Sequence, residues 1–405
     1  MDLASADIAR TVGAPSEAIG AATALNAFGI DLYRRVVAED PGADALISPA
    51  SIALALAMAR AGARGQTATE MDRVMRGLGA DDRAAGLAAL DAALGARSER
   101  LATPPFDGRG PLQVTLRIVN APFAQLGLAL EDGYLEALAS RFAAGLRLVD
   151  FRSTPDEARR RINGWVLDQT EQRIPELITH EQVTAATRLV LVNAIYLKAA
   201  WSTPFPEHAT APGPFRRLDG STREVQLMGM KKHLQYGRGR DWRAVQLPYV
   251  GGKLAMLIVV PSDLPTFEAA LDETGLRLVT DALRTTEVRL LLPRFGTATQ
   301  LDLVTGLAAL GMPRAFSGTA DLSGISRTEP LAIGAVVHQA TIDVDEHGTE
   351  AAAATAVTMA PTAMPPTEEP IVLTVDRPFL YALLDLETSA ILFLGRVTDP
   401  VAERS

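Results

Sequence analysis

The sequence predicts an α+β fold, and the order of its patterns indicates this class. Helical periodicity dominates the first half of the chain, whereas strand-like runs dominate from Thr187 onward. The two types do not alternate regularly, as a parallel sheet built from βαβ units would require. No internal repeat and no linker separates two halves, although a length of 405 residues by itself favours two or three domains.

Composition is that of a folded globular protein and excludes several classes of partner. Hydrophobic residues make up 48% of the chain and charged residues 21%, which allows a large core. The formal net charge of −9 argues against nucleic acid and against anionic membranes. No apolar run approaches the roughly 18 residues that a membrane-spanning helix needs. We therefore expect neither a nucleic-acid partner nor a membrane partner.

Cysteine is absent, which removes disulfides, zinc–thiolate sites and cysteine nucleophiles together. Residues 1–18 carry Asp2, Asp7 and Glu17 and lack the basic start and apolar block of a secretory signal. The localisation is therefore unknown, with the cytoplasm as the default expectation and an extracellular location left open.

Helical patterns predominate in the first half. Residues 17–39 place apolar side chains on one stripe, and Pro41-Gly42 ends that helix. Ser48-Pro49 begins the next helix, because proline fits the first turn. Further helices are expected at about 66–76, 83–95, 130–143 and from Thr154 onward, with strands at 112–121 and 146–151.

Strand patterns predominate in the second half. The runs 189–197 and 254–260 are apolar and contain β-branched residues, which suits buried strands. A mixed helical stretch at 264–285 and a helix at 300–310 interrupt the strands. The other strands are expected at 224–236, 243–249, 287–292, 331–345, 371–375, 378–386 and 390–397.

Motifs of the common enzyme classes are missing. Gly251-Gly252-Lys253 is followed by leucine and is not a phosphate-binding loop, and neither a Gly-x-Ser-x-Gly elbow nor a His-Glu-x-x-His pair occurs. The five histidines lack metal-ligand spacing. A catalytic triad assembled from distant residues stays open. No pattern supports an enzyme, a metal site or a cofactor.

The stretch 346–359 is unusual because it alternates like a strand, although its four consecutive alanines favour helix. The prolines that follow it prevent either structure from continuing. A helix end followed by a flexible linker is the alternative, and this stretch alone favours that alternative. One side of the alternation carries no charge: Thr349, Ala351, Ala353, Thr355, Val357 and Met359.

Five segments occur together in the order and spacing of one known family. They are 47–52 (ISPASI), 192–201 (VNAIYLKAAW), 320–323 (ADLS), 348–354 (GTEAAAA) and 373–383 (LTVDRPFLYAL). The chain resembles the serpins, the serine protease inhibitor family, and within them the inhibitory, prokaryote-like type. The resemblance implies one serpin domain over 1–405, with three β-sheets, eight or nine helices and an exposed reactive-centre loop. It also implies an N-terminal extension over about 1–16 and a hinge and loop over 346–370.

The function implied by the resemblance is suicide inhibition. A serine protease cleaves the loop, and the loop, still acylated to the protease, inserts as a central strand of the main sheet. The protease's oxyanion hole is distorted, which stalls deacylation. The inhibitor is then a monomer without catalytic residues, bound covalently to its serine protease partner. A serpin fold used only for binding or as a chaperone is the alternative.

The hinge implied by the resemblance must enter the sheet quickly. Gly348 supplies backbone freedom, and Thr349 is the first side chain on the face to be buried. A charge there would cost several kcal/mol to desolvate. We expect Thr349 and the other members of its face to become buried only after cleavage. The hinge residues are Glu346, Gly348, Thr349, Glu350, Ala351, Ala352, Ala353 and Ala354.

Two clusters are implied to control the opening of the main sheet. The shutter lies beneath the centre of the sheet, and the breach lies where the hinge enters. An ion pair between Arg294 and Glu346 either gates the hinge or is a surface salt bridge worth about 0–1 kcal/mol. The shutter residues are Ser48, Ser51, Asn193 and His338, and the breach residues are Trp201, Arg294 and Glu346.

The reactive bond is placed by the family's spacing from Glu346, which gives Thr362–Ala363. Ala363–Met364 is the nearest alternative, whereas cleavage after Met364 is not expected because Pro365 follows it. A small, β-branched residue before the bond argues against trypsin-like proteases, which need lysine or arginine. It favours elastase-like or subtilisin-like targets.

Overall fold

Nine α-helices occur in the computed structural model, which describes residues 2–80, 83–100, 113–170, 172, 174–349 and 369–400. The helices are α1 (Pro15–Glu39), α2 (Pro49–Gly62), α3 (Gly65–Val74), α4 (Ala84–Gly95), α5 (Asp132–Phe142), α6 (Pro155–Gln169), α7 (Leu264–Ala270), α8 (Glu273–Asp281) and α9 (Val304–Leu310).

Seventeen strands accompany them, most of them in the second half, and the predicted α+β class is confirmed. The strands are β1 (Asp2–Ala4), β2 (Ala45–Ile47), β3 (Glu99–Arg100), β4 (Gln113–Gln125), β5 (Leu146–Val149), β6 (Leu189–Ala200), β7 (Ala211–Arg216), β8 (Thr222–Arg238), β9 (Trp242–Pro248), β10 (Leu254–Pro261), β11 (Arg284–Pro293), β12 (Phe295–Asp302), β13 (Ala335–Val344), β14 (Gly348–Thr349), β15 (Ile371–Thr374), β16 (Phe379–Asp385) and β17 (Ile391–Val397).

The main sheet has the strand order β1-β5-β4-β6-β14-β13-β12, with β3 paired to β4. Its central strand β6 is buried on both faces because its residues alternate between two cores. Leu189 and Leu191 join the large core that contains α2. Val190 and Val192 join a smaller core beneath α6. The sheet is therefore a layer between two sets of helices.

The remaining strands pair in the order β15-β11-β8-β9-β10-β16-β17-β2, with β7 paired to β8. The resemblance implied three sheets, whereas the described strands pair into two. The second sheet is continuous because β8 has 17 residues and pairs with β7, β11 and β9 in turn. β15 pairs in parallel with β11. The chain segment between β14 and β15 therefore connects the main sheet to the other strands.

β12 differs from the sequence prediction, which placed a helix over 300–310. Residues 300–302 complete β12, and the helix begins only at Val304. β12 is rich in glycine, threonine and alanine, so its own strand signal is weak. Its pairing with β13 over eight residues determines the conformation.

The N-terminal extension contributes β1, which pairs with β5 at the outer edge of the main sheet. Thr11 N–H donates to Ser140 O of α5 at 2.7 Å. Arg10 contacts Asp91 and Ala88 O of α4. The extension thus crosses three elements before α1 begins at Pro15.

Candidate functional site

β14 lies between the C-terminal ends of two parallel strands, β6 and β13. These strands pair directly with each other up to Ile195 and Ala340. Beyond that point, Thr349 pairs antiparallel with Ala199 of β6 and with Val344 of β13. β14 is therefore the start of an additional strand inside the sheet.

A tight turn at Asp345 reverses the chain from β13 into β14. Asp345 Oδ1 accepts hydrogen bonds from the N–H groups of His347 (2.7 Å) and Gly348 (3.1 Å). The N–H of Asp345 donates to Gly348 O at 3.0 Å. Burial raises the pKa of Asp345, and these backbone hydrogen bonds oppose that rise. An aspartate that bonds the backbone ahead of it is a common turn former.

Gly348 is required by the close approach of two backbones. A Cβ at this position would lie 2.1 Å from Ala199 O and 2.8 Å from Ala200 Cα. Its φ of 155° also lies in a region that side chains disfavour. A side chain here would push the hinge out of the sheet.

Thr349 is fully buried, and its Oγ1 lies 2.6 Å from the hydroxyl of Tyr249. The Tyr249 ring stacks on Trp201 with 4.4 Å between ring centroids. The expectation that Thr349 becomes buried only after cleavage is therefore wrong. The turn at Asp345 and the absence of a side chain at Gly348 bring it into the sheet of the uncleaved chain.

Trp201 holds the turn from the β6 side. Its Nε1 donates to Asp345 O at 2.9 Å, and its backbone N–H donates to His347 O at 2.8 Å. A tryptophan at this position therefore supplies two donors to the segment that carries the hinge.

Glu346 is 2% exposed and is held by Arg294 and Thr210. Arg294 Nε and Nη2 donate to the carboxylate at 2.8–3.0 Å, and the Thr210 hydroxyl donates to Oε1. Burial by itself would raise the pKa of Glu346, but these hydrogen bonds outweigh it and lower the pKa. The pair is more buried than the surface salt bridge considered from sequence, although Arg294 is 37% exposed.

Polar residues of four elements meet under the direct pairing of β6 and β13. His338 of β13 lies opposite Asn193 of β6, and its Nδ1 contacts Asn193 Oδ1. Asn193 Nδ2 donates to Val337 O at 3.0 Å. From α2, Ser51 N–H donates to Ser48 Oγ at 3.2 Å. The Ser51 hydroxyl also lies 3.0 Å from the Asn120 side chain of β4.

His338 is neutral in this environment. Burial lowers its pKa from 6.5 to about 3. Its Nε2 accepts the backbone N–H of Ser48 at 3.1 Å. The proton must therefore lie on Nδ1, which donates it to Asn193 Oδ1. His338 thus links α2 to both central strands.

The rest of the predicted site lies outside the described residues. This applies to Glu350 and to Ala351, Ala352, Ala353 and Ala354 of the hinge. It applies equally to the predicted reactive bonds at Thr362, Ala363 and Met364. Among the residues described, no helix is long and apolar enough to cross a membrane. No cluster of three metal-ligating side chains occurs among them.

Comparison with known proteins identifies the family. A family model described as Serpin (serine protease inhibitor) matches residues 23–400. The chain belongs to the serpin family. This serpin is 36% identical over 384 residues to the leukocyte elastase inhibitor of Bos taurus, covering 92% of this chain and 97% of the relative. It is 38% identical over 379 residues to an uncharacterized serpin-like protein of Thermococcus kodakarensis, covering 93% and 85%.

Solved structures confirm the serpin fold. The complex of thyroxine-binding globulin with thyroxine superposes with a TM-score of 0.81 at 26% identity, covering 94% of this chain and 99% of that chain. The native thermophilic serpin tengpin superposes with a TM-score of 0.83 at 22% identity, covering 98% and 97%. The family assignment made from sequence is confirmed as well.

Sequence reasoning missed four residues that this serpin brings to the site. Asp345 could have been found, because Asp-x-x-Gly after a strand is a turn signal. Thr210, Tyr249 and Asn120 carry no such signal. They reach the site through strand pairing and packing between distant segments.

Proposed function

We propose that this serpin inhibits serine proteases as a suicide substrate whose cleaved loop inserts as a central strand of the main sheet. The observation that carries the proposal is β14, because the first hinge residues already occupy the start of such a strand. Its relatives include proteins named as elastase inhibitors, which supports protease inhibition. The chain would act as a monomer that becomes covalently linked to one protease.

The register of β14 predicts how insertion would continue. Extending the antiparallel pairing of Thr349 places residues 350–352 opposite 198–196 of β6 and 343–341 of β13. Residue 353 would then meet Ile195 and Ala340, where the two strands pair directly. From this point on, β6 and β13 must move apart by the width of one strand, about 4.8 Å, to admit the loop. The alanines at 351–354 suit this entry because they leave little to desolvate or to clash.

The same register brings Thr355 between Asn193 and His338. Alternation places the Thr355 side chain on the face that already carries Thr349, and Asn193 and His338 lie on that face too. Insertion would break the hydrogen bond between Asn193 and His338, and the Thr355 hydroxyl could then bond both side chains in its place. We propose that the cluster of Ser48, Ser51, Asn193 and His338 closes the sheet until this exchange occurs. We propose that Trp201, Arg294 and Glu346 hold the point of entry.

The chemistry belongs to the protease. Its serine Oγ attacks the carbonyl carbon of Thr362, the bond to Ala363 breaks, and the new amine of Ala363 leaves. The ester then joins the protease to Thr362 while the loop inserts. Displacement of the oxyanion-hole donors slows attack by water, because those donors lower the barrier by several kcal/mol. A threonine before the bond suits the shallow apolar pocket of elastase-like or subtilisin-like enzymes.

The test is to mix the protein with elastase, subtilisin and trypsin and to look for an SDS-resistant complex. We expect a complex with one of the first two and none with trypsin. Thr362→Arg is the matched variant, because it should transfer complex formation to trypsin. Mass spectrometry of the C-terminal fragment, separated under denaturing conditions because it carries β15, β16 and β17, decides between Thr362–Ala363 and Ala363–Met364. A loop that is cut by a wide protease panel without any covalent species would overturn the proposal in favour of a binding or chaperone role.

A further inference from the structure

Tyr249 is fixed beside the hinge by both its backbone and its ring. It follows β9 directly and is fully buried. Its backbone forms a bridge with Trp201, and its ring stacks on the Trp201 indole with an interplanar angle of 15°. Its N–H donates to Leu254 O at 2.9 Å. With both ring and backbone fixed, the hydroxyl is aimed at one point.

That point is Thr349 Oγ1, at 2.6 Å. Both hydroxyls are buried, so each would lose a hydrogen-bond partner without gaining much water if the other were removed. Alanine or valine would also be small and uncharged at position 349. Ease of burial alone therefore does not call for a hydroxyl at position 349, whereas the hydrogen bond to Tyr249 does.

The backbone around Thr349 gives little other choice of register. Gly348 pairs with Ala200 of β6, and Asp345 Oδ1 accepts the N–H of Gly348. Thr349 is thus the first residue whose side chain can stabilise the hinge inside the sheet. Tyr249 is the group that this side chain meets.

We propose that Tyr249 is a positioning residue that holds the hinge in its inserted register through Thr349 Oγ1. The kinetic consequence rests on the inhibitory function proposed above. A hinge that is already seated shortens the path to full insertion, which favours the trapped complex over release of cleaved inhibitor. The same contact holds back the loop, which slows the first encounter with a protease.

The first test is amide hydrogen exchange of the free, uncleaved protein, read by mass spectrometry on the peptide that contains residues 345–349. In Tyr249→Phe and in Thr349→Val we expect exchange about fivefold faster, the effect of losing one hydrogen bond. Thr349→Ser keeps the hydroxyl and should exchange like the parent. The double variant Y249F/T349V should exchange more slowly than either single variant, because no unpaired hydroxyl remains.

Amide hydrogen exchange outside the hinge shows whether a variant loosens only the hinge or destabilises the whole protein. Peptides that cover 190–195 of β6 and the β10 strand should keep their parental protection in all variants. An increase there equal to the increase at the hinge would overturn the proposal. Parental exchange at the hinge in Tyr249→Phe and Thr349→Val would overturn it as well.

The second test uses proteases, and it separates this inference from the proposed function. Tyr249→Phe should raise the number of inhibitor molecules consumed per protease about fivefold, without slowing the association rate. If the parent inhibits nothing while the exchange pattern holds, the proposed function fails and the positioning role stands. If the parent inhibits and both tests leave Tyr249→Phe unchanged, only the positioning role fails.

Discussion

The two ends of the contact between β6 and β13 are held together by different kinds of polar interaction. At the entry end, β14 separates the strands, and the ionised pair of Glu346 and Arg294 lies beside it. At the closed end, the strands pair directly, and the polar groups are an amide, hydroxyls and a neutral histidine. One end is held by charge near solvent and the other by neutral hydrogen bonds in the interior.

This difference follows from how much water the polar groups at each end can reach. Charged groups remain stable at the entry because Arg294 keeps contact with water. Beneath the sheet, a charge would lack water, so only neutral partners are tolerated. Under the insertion proposed above, a neutral network could exchange its hydrogen bonds with an incoming threonine. The entry end is thus suited to hold a strand in place, and the closed end to let one pass.

The largest expected effect is at the entry. Thr349→Arg would place a cation at a fully buried position beside the Tyr249 hydroxyl. Burying that charge costs several kcal/mol, so we expect covalent complex formation to fall at least about a hundredfold. The loop should still be cut. Glu350→Arg is the matched control, since alternation places position 350 on the other face. Stoichiometric inhibition by Thr349→Arg would contradict the insertion model.

The closed end should respond to pH. The folded state keeps His338 neutral down to a pKa of about 3, whereas the unfolded chain binds its proton near 6.5. The stabilisation is complete above pH 6.5 and decreases as the pH falls, by about 2 kcal/mol between pH 7 and pH 5. His338→Gln should lose this part of the pH dependence of the urea unfolding midpoint. Equal pH dependence in both proteins would show that His338 does not titrate as described.

The smallest effect is expected from the ion pair at the entry. Arg294→Ala leaves Glu346 buried with Thr210 as its remaining described side-chain partner. Because Arg294 is partly exposed, water replaces some of the loss, and we expect a destabilisation of about 1–2 kcal/mol. Arg152→Ala breaks a surface pair with Glu329 and serves as the control, with an expected loss below about 0.5 kcal/mol. Equal losses would mean that the entry pair is an ordinary surface salt bridge.

Much of the fold was predictable because its core strands carry their own signal. β10 is apolar along its whole length, and β6 is apolar except at Asn193 and Lys198, so this signal does not depend on neighbours. β12 could not be predicted in the same way, because Gly296 and its threonines become a strand only against β13. The helix predicted over 300–310 therefore begins only at Val304, because residues 300–302 belong to β12.

The site was predictable only as far as sequence motifs reach. The resemblance named His338 and Asn193, but their contact depends on the register of two parallel strands far apart in sequence. Tyr249 continues the alternation of Val245 and Leu247, which predicts a buried side chain but not its contact with Thr349, 100 residues further along the chain. The burial of Thr349 depends on a turn made by Asp345, which the alternation of 346–359 does not encode.

The outermost strand of the main sheet has a consequence for the solution behaviour of shortened chains. The family match begins at residue 23, whereas β1 covers one edge of β5 from Asp2 to Ala4. A chain that starts at residue 23 would leave the backbone of 146–148 unpaired at that edge. Open edges pair readily with strands of other molecules. Edge-to-edge association and aggregation are therefore expected of such a chain, even though every residue of the hinge and of the two polar clusters would be present.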